Sequence, residues 1–147
     1  MGVNLYNNEG YLDLTAYEAL TNVERGRQME RYKEKVNKPI VFICSPFAGD
    51  IEGNVVRAKS YGRFAVFEGM VPIIPHLMYP QFLIEKNHFE RKLGIEMGLV
   101  LLTKCKELWV FGDVISPGMA VEISKAKEQN IIIRQFTKDC ELIGGLK

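Results

Sequence analysis

The sequence predicts a doubly wound α/β domain around a parallel sheet of about four strands. Three observations carry this. Short apolar runs at residues 40–44, 71–75, 108–111 and 131–133 alternate with segments of helical periodicity. The first run is continuous rather than alternating, as a strand buried on both faces is. The connections are short, and strand–helix alternation with short connections implies right-handed βαβ units and a parallel sheet.

Residues 1–13, with Asn7-Asn8 and Gly10, read as a polar arm. A helix is expected over 14–35, where Tyr17, Leu20, Val23 and Met29 recur at helical spacing and Asn37-Lys38-Pro39 stops it. Its weak apolar face suits a domain edge or a partner subunit. Strand one is Ile40-Val41-Phe42-Ile43-Cys44, followed by the loop Ser45-Pro46-Phe47-Ala48-Gly49-Asp50. A helix over 51–69 follows, with Val55, Ala58, Tyr61, Ala65 and Val66 as its inner stripe and Gly69 as its stop. Strand two carries Pro72, which lacks an N–H and therefore belongs at a sheet edge. Residues 76–86 read as a long loop with one helical turn.

Asn87 with Glu90 three residues on resembles a capping box for a helix reaching to about 104, its stripe Leu93, Met97, Val100 and Leu101. Trp109 sits in the middle of strand three and is expected in the core. Ser116 then caps, and Pro117 opens, a helix to about 129. Strand four is Ile131-Ile132-Ile133, and residues 138–147 read as a polar tail. The domain expectation is an arm and helix over 1–37, an α/β domain over 38–137 and the tail. The strand order is 2-1-3-4, flavodoxin-like, with the extra helix at the N-terminal side.

Composition excludes several classes. The 147 residues carry a net charge of +1, so there is no electrostatic footprint for a nucleic-acid polymer. No apolar stretch reaches the roughly 20 residues of a membrane span. Three cysteines without CxxC spacing fit reduced thiols and give no structural zinc site. A soluble, cytoplasmic protein without metal is expected.

In a sheet of this kind ligands bind outside the carboxyl ends of the strands. The rim is built from residues 45–50, 76–86 and 112–118. The first loop leads into a helix N-terminus, whose free N–H groups and dipole favour an anion; a plain βα turn is the alternative. The last segment is Phe111-Gly112-Asp113-Val114-Ile115-Ser116-Pro117-Gly118-Met119-Ala120-Val121-Glu122-Ile123. Gly112 lets a ligand approach the backbone, and Asp113 stands at the strand end. Gly118 and Ala120 keep the first helical turn open. Glu122, one turn in, borders the buried stripe on the rim side. Two carboxylates at one cleft can divide labour between nucleophile and proton donor. Alternatively, Glu122 is solvated and pairs with Lys125 at i+3. His76 follows strand two at the rim as a possible ligand contact, against a strand-end histidine bonded to backbone. Arg57 could reach a phosphate, against a solvated helix arginine. Tyr79 and Phe82 suit a lid, an oligomer contact or core packing.

The segment Gly118-Met119-Ala120-Val121-Glu122-Ile123, after Pro117 and a strand-end Asp, resembles the Gly-x-Ala-x-Glu-Ile signature of nucleoside 2-deoxyribosyltransferases and related nucleotide N-glycosidases. Ile43-Cys44-Ser45-Pro46-Phe47 is similar to their first-strand loop. The resemblance spans about residues 39–136. It extends to an often phage- or prophage-borne branch with the segment shape Cys-x-Glu-Leu-Trp-Val-Phe-Gly-Asp.

The resemblance implies a flavodoxin-like fold, no cofactor and no metal. Its substrate would be a small nucleoside or nucleotide whose N-glycosidic bond is cleaved through a covalent intermediate on Glu122, as in a retaining glycosidase. Asp113 would hold or protonate the base. Ser45, Pro46 and Phe47 would border the sugar or a 5′ group; Gly112, Gly118, Met119, His76 and Arg57 are the further substrate contacts expected from their places at the rim. A homodimer or larger oligomer, with a site finished by a neighbouring subunit, is also implied. The chain departs from the family pattern at Ser124-Lys125, where Gly-Tyr is common, and at Ser45, where Gly is common. The base-binding Asp before the third strand has no counterpart; Glu90, Arg91 and Glu96 are the possible substitutes. That gap motivates an alternative, a protein that binds a nucleotide derivative without turnover. A third reading is an interaction protein acting through the 14–35 helix.

Overall fold

The computed structural model describes residues 39–146, together with 26, 27, 29 and 30. The chain divides into two compact units, Met1–Asn37 and Lys38–Lys147. The helix expected over 14–35 lies outside the described residues except for Gly26, Arg27, Met29 and Glu30, which are helical.

The second unit runs β1 (Ile40–Cys44), α1 (Ile51–Phe67), β2 (Val71–Ile73), α2 (Pro75–Met78), a 3-10 turn (Tyr79–Gln81), α3 (His88–Leu102), β3 (Glu107–Phe111), α4 (Pro117–Glu128), β4 (Ile132–Phe136) and β5 (Leu142–Leu146). The sheet order is β2-β1-β3-β4-β5. The first four strands are parallel in the expected 2-1-3-4 order, with β2 and its Pro72 at the edge. This is the flavodoxin-like arrangement.

The fifth strand corrects the expected polar tail. β5 pairs antiparallel with β4, Ile133 opposite Leu146, with a register irregularity between Gln135 and Phe136. The Thr137 hydroxyl accepts from the N–H groups of Asp139 (3.2 Å) and Glu141 (3.1 Å), and Cys140 takes a φ of 64° to close the turn. Gly144-Gly145 conceals the strand in the sequence, because glycine weakens any strand reading.

The continuous apolar runs serve two cores, one on each face of the sheet. Phe42, Cys44, Leu108, Val110 and Ile133 pack with Leu102, Met119 and Ala126 from α3 and α4. Their neighbours Val41, Ile43, Trp109, Phe111 and Phe136 point the other way and pack with Tyr61 and Ala65 from α1. Successive side chains alternate faces, so a strand buried on both must be apolar throughout. The α1 face is aromatic: Tyr61 stacks on Phe111 at 4.1 Å, and Phe111 on Phe136 at 5.0 Å. One polar group enters this layer. The Glu107 carboxylate accepts from Trp109 Nε1 (2.8 Å) and Arg134 Nε (3.0 Å), which satisfies it.

Two helix stripes differ from expectation. On α1 the buried residues are Asn54, Ala58, Tyr61, Gly62 and Ala65, while Val66 is exposed. On α3 they are Gly98 and Leu102, while Val100 is exposed. Close approach decides the first: a Cβ on Gly62 would stand 2.7 Å from Ile74 Cδ1. Gly98 packs against Pro75, where a Cβ would make an ordinary contact at 3.6 Å. The helices turn their smallest residues to their neighbours, and the apolar side chain a few positions away stays outside.

Candidate active site

The carboxyl ends of β1 and β3 lie side by side, with Cys44 opposite Val110 in the register. Beyond them opens a cavity of about 340 Å³, within the range usual for small-molecule sites. Four segments line it. The loop after β1 supplies Ser45, Phe47 and Ala48, and the segment after β2 supplies Pro75, His76, Tyr79, Pro80, Leu83 and Glu85. α3 gives Glu90, Arg91, Gly94, Ile95 and Gly98, and the start of α4 gives Ser116, Pro117, Gly118, Met119 and Glu122.

Local rules place α4. The Ser116 side chain accepts from Met119 N at 3.2 Å, and Pro117 fills the first turn, where no N–H is needed. The Met119 side chain is buried in the sheet core, which fixes the helix rotation. Glu122 then lines the cavity. Burial pushes its carboxyl up from 4.5 to about 7, opposed by a hydrogen bond donated by the Cys44 thiol. The Cys44 thiol itself is raised well above its ordinary value, first by burial and then by the Glu122 charge. It also lies 3.9 Å from the Met119 carbonyl oxygen. Lys125 pairs with Glu128 at 3.5 Å, so the solvated Glu122–Lys125 alternative is not adopted.

Another wall is built around His76. Its Nε2 is 3.2 Å from Ser45 Oγ, and its ring lies 5.5 Å from that of Phe47. Burial lowers its pKa to about 4, so the imidazole is neutral near pH 7. Ser45 is itself buried. The loop is held from below by Asn54, a buried residue of α1, whose Nδ2 donates to the carbonyls of Phe47 (2.9 Å) and Ala48 (3.1 Å). Farther out, Arg91 pairs with Glu85 at 3.7 Å.

Thus Ser45, Phe47, His76, Gly118, Met119 and Glu122 come together around one cavity. Pro46, Gly112, Asp113 and Arg57 do not line it. Asp113 is exposed. The strand ends at Phe111 and Gly112 turns the chain at φ 91°, so the pleat does not carry on to position 113. Arg57 is committed to its own loop, donating to Asn54 Oδ1 (2.7 Å) and Asp50 Oδ2 (3.3 Å). Asp50 caps α1 by accepting from Gly53 N. The anion expected at that helix start is therefore answered from within the chain. Glu96 and Phe82 are exposed and outside the lining, whereas Tyr79 lines it.

Sequence reading missed Asn54, Cys44 and Glu85. A polar residue on the inner stripe of α1, four before Ala58, is the signal that could have found Asn54. A shallower depression of about 420 Å³ between α3 and α4 is lined by Leu99, Ala120, Val121, Ser124, Lys125 and Glu128. Its only charged groups pair with each other, so it carries no comparable chemistry. Among the described residues no group of His, Cys, Asp or Glu could hold a metal ion, and no helix is long and apolar enough to cross a membrane.

Fold and site together define a flavodoxin-like α/β protein with a half-buried carboxyl group at the strand-end rim. The chain belongs to the family described as a domain of unknown function, DUF7768, whose model matches residues 39–136. No curated protein matches it. Among solved structures it is similar to the 2-deoxyribosyltransferase of the psychrotolerant bacterium Bacillus psychrosaccharolyticus, with a TM-score of 0.53 and 16% identity over 67% of this chain and 72% of that one. The two share a fold. That enzyme is described as a biocatalyst for the synthesis of antiviral and antitumoral nucleosides.

Proposed function

We propose that the protein cleaves or transfers the N-glycosidic bond of a 2-deoxyribonucleoside or its nucleotide, with Glu122 as the nucleophile. The observation that carries this reading is Glu122 itself, a half-buried carboxyl at the rim of a ligand-sized cavity. The Gly-x-Ala-x-Glu-Ile motif and the shared fold support it. In the first step a Glu122 carboxylate oxygen bonds to C1′ as the C1′–N bond breaks. The electron pair leaves with the base, which takes a proton from water at the cavity mouth. In the second step water, which gives up its proton to solvent, or another base bonds to C1′ as the C1′–O bond to Glu122 breaks and the carboxylate is restored. The neutral His76, fixed by Ser45 and flanked by Phe47, hydrogen-bonds the ligand. A homo-oligomer belongs to this reading through the family resemblance.

Incubation with the four deoxynucleosides and their 5′-monophosphates, with chromatography for free base, tests the proposal. Base release that vanishes in Glu122→Gln supports it. Release from none of them, or undiminished turnover in that variant, refutes it. One observation favours a second reading, a binding protein without turnover: Asp113 lies outside the cavity, which leaves the departing base without the expected acid. Calorimetry that returns the bound nucleoside intact distinguishes it.

A further inference from the structure

The charged groups of the cavity point to the kind of ligand it admits. Its lining holds three carboxyl groups, Glu85, Glu90 and Glu122, and one guanidinium, Arg91. Arg91 is already paired with Glu85 at 3.7 Å. Glu90 makes no side-chain ion pair among the described residues, so its charge is uncompensated where it meets the cavity. His76 adds no positive charge near neutral pH.

Helix N-termini around the rim offer little in return. At α1 the cap is Asp50, with Glu52 in the first turn. At α3 Asn87 accepts from Phe89 N (3.0 Å) and Glu90 N (3.1 Å). At α4 Ser116 takes Met119 N and Pro117 has no N–H, which leaves the Gly118 N–H. A phosphate entering this cavity would find one cation, Arg91, shared with Glu85 in a half-exposed pair, against an excess of carboxyl groups, whereas sugar hydroxyls and base amino groups are donors that carboxylates accept.

We propose that Glu90, with the Glu85–Arg91 pair beside it, is the specificity-determining element of the cavity and excludes 5′-phosphorylated ligands, so that the substrate is the uncharged deoxynucleoside. This rests on the function proposed above and narrows it. Glu90 acts on the choice of ligand and not on the bond broken.

The test compares each deoxynucleoside with its 5′-monophosphate on the wild-type protein, by kcat/KM for base release and by calorimetric Kd. Both should favour the nucleoside by on the order of tenfold or more, since like charges brought together repel. Raising the salt concentration should narrow the ratio by screening. Glu90→Gln should narrow it too. So should Glu85→Gln, which releases Arg91, and this second variant covers a failure of the first to fold. Equal or better use of the monophosphate overturns the inference and leaves the proposed function standing. A nucleoside preference that neither variant nor salt changes removes Glu90 from the account. Binding of neither ligand overturns the inference together with the function it rests on.

Discussion

The two walls of the cavity are built by different means. The α4 wall is local: Ser116 caps, Pro117 starts the helix, Met119 anchors it in the core, and Glu122 follows one turn later. The β2–α3 wall is assembled from distant pieces. His76 comes from the short helix after β2, Ser45 from the loop after β1, and Glu85, Glu90 and Arg91 from α3 and the turn before it. Nothing in their spacing announces that they meet. The comparison separates two tasks: the proposed bond-breaking group stands on the regular wall, and the groups suited to recognise a ligand stand on the irregular one. Reactive groups need exact placement, and a capped helix end gives it from few residues.

The largest expected effect lies on the regular wall. Glu122→Gln should lower base release by on the order of a thousandfold or more, as loss of a nucleophile does. The same group sets the pH dependence. Only the ionised carboxylate attacks, so kcat/KM should rise with pH and level off above about 7. Stability moves the opposite way. A carboxyl whose folded pKa is raised favours the fold while protonated, and that advantage is lost between the ordinary value of 4.5 and about 7. Glu122→Gln should therefore gain Tm relative to wild type as pH goes from about 5 to about 8, by scanning calorimetry. An equal Tm difference at both ends would place Glu122 in solvent.

Asn54→Ala attacks the irregular wall from beneath. It removes both bonds to the Phe47 and Ala48 carbonyls. A loss of about 2 kcal/mol is expected, at about 1 kcal/mol per hydrogen bond, read by urea unfolding. KM should rise more than kcat falls, because the loop carries Ser45 and Phe47. If kcat alone fell, the loop would belong to the chemistry and the division between walls would fail.

Ser116→Ala should cost about 1 kcal/mol as a lost N-cap. A drop in kcat beyond that seen in a control variant of equal stability would show that the cap aims Glu122. The smallest effect is expected at Asp113. Because it is exposed and outside the cavity, Asp113→Asn should change kcat/KM by no more than about twofold, the scale of an ordinary surface substitution. A large loss would return the departing base to Asp113.

The same contrast governs what the sequence revealed. Four parallel strands and their order were legible because short apolar runs alternate with helical segments, although β4 runs on past its apolar start through Arg134 and Gln135 to Phe136, beyond the expected 131–133. The α4 wall was legible because capping chemistry is local. The strand at Leu142–Leu146 was hidden by two glycines, and the buried sides of α1 and α3 by Gly62 and Gly98, which no apolar pattern counts. Asp113 and Arg57 were assigned to the site by position along the chain, yet a left-handed Gly112 and an Asp50–Asn54 clamp send them elsewhere. Cys44 reads as a strand residue, and its contact with Glu122 arises only when β1 and α4 meet across the fold.

The most direct test of the central claim is to trap the intermediate. A slow 2′-fluoro nucleoside analogue, followed by digestion and mass analysis, should leave one sugar adduct on the peptide that carries Glu122 and none in Glu122→Gln. An adduct on another residue, or base release from the natural substrate with no adduct ever formed, would contradict the account.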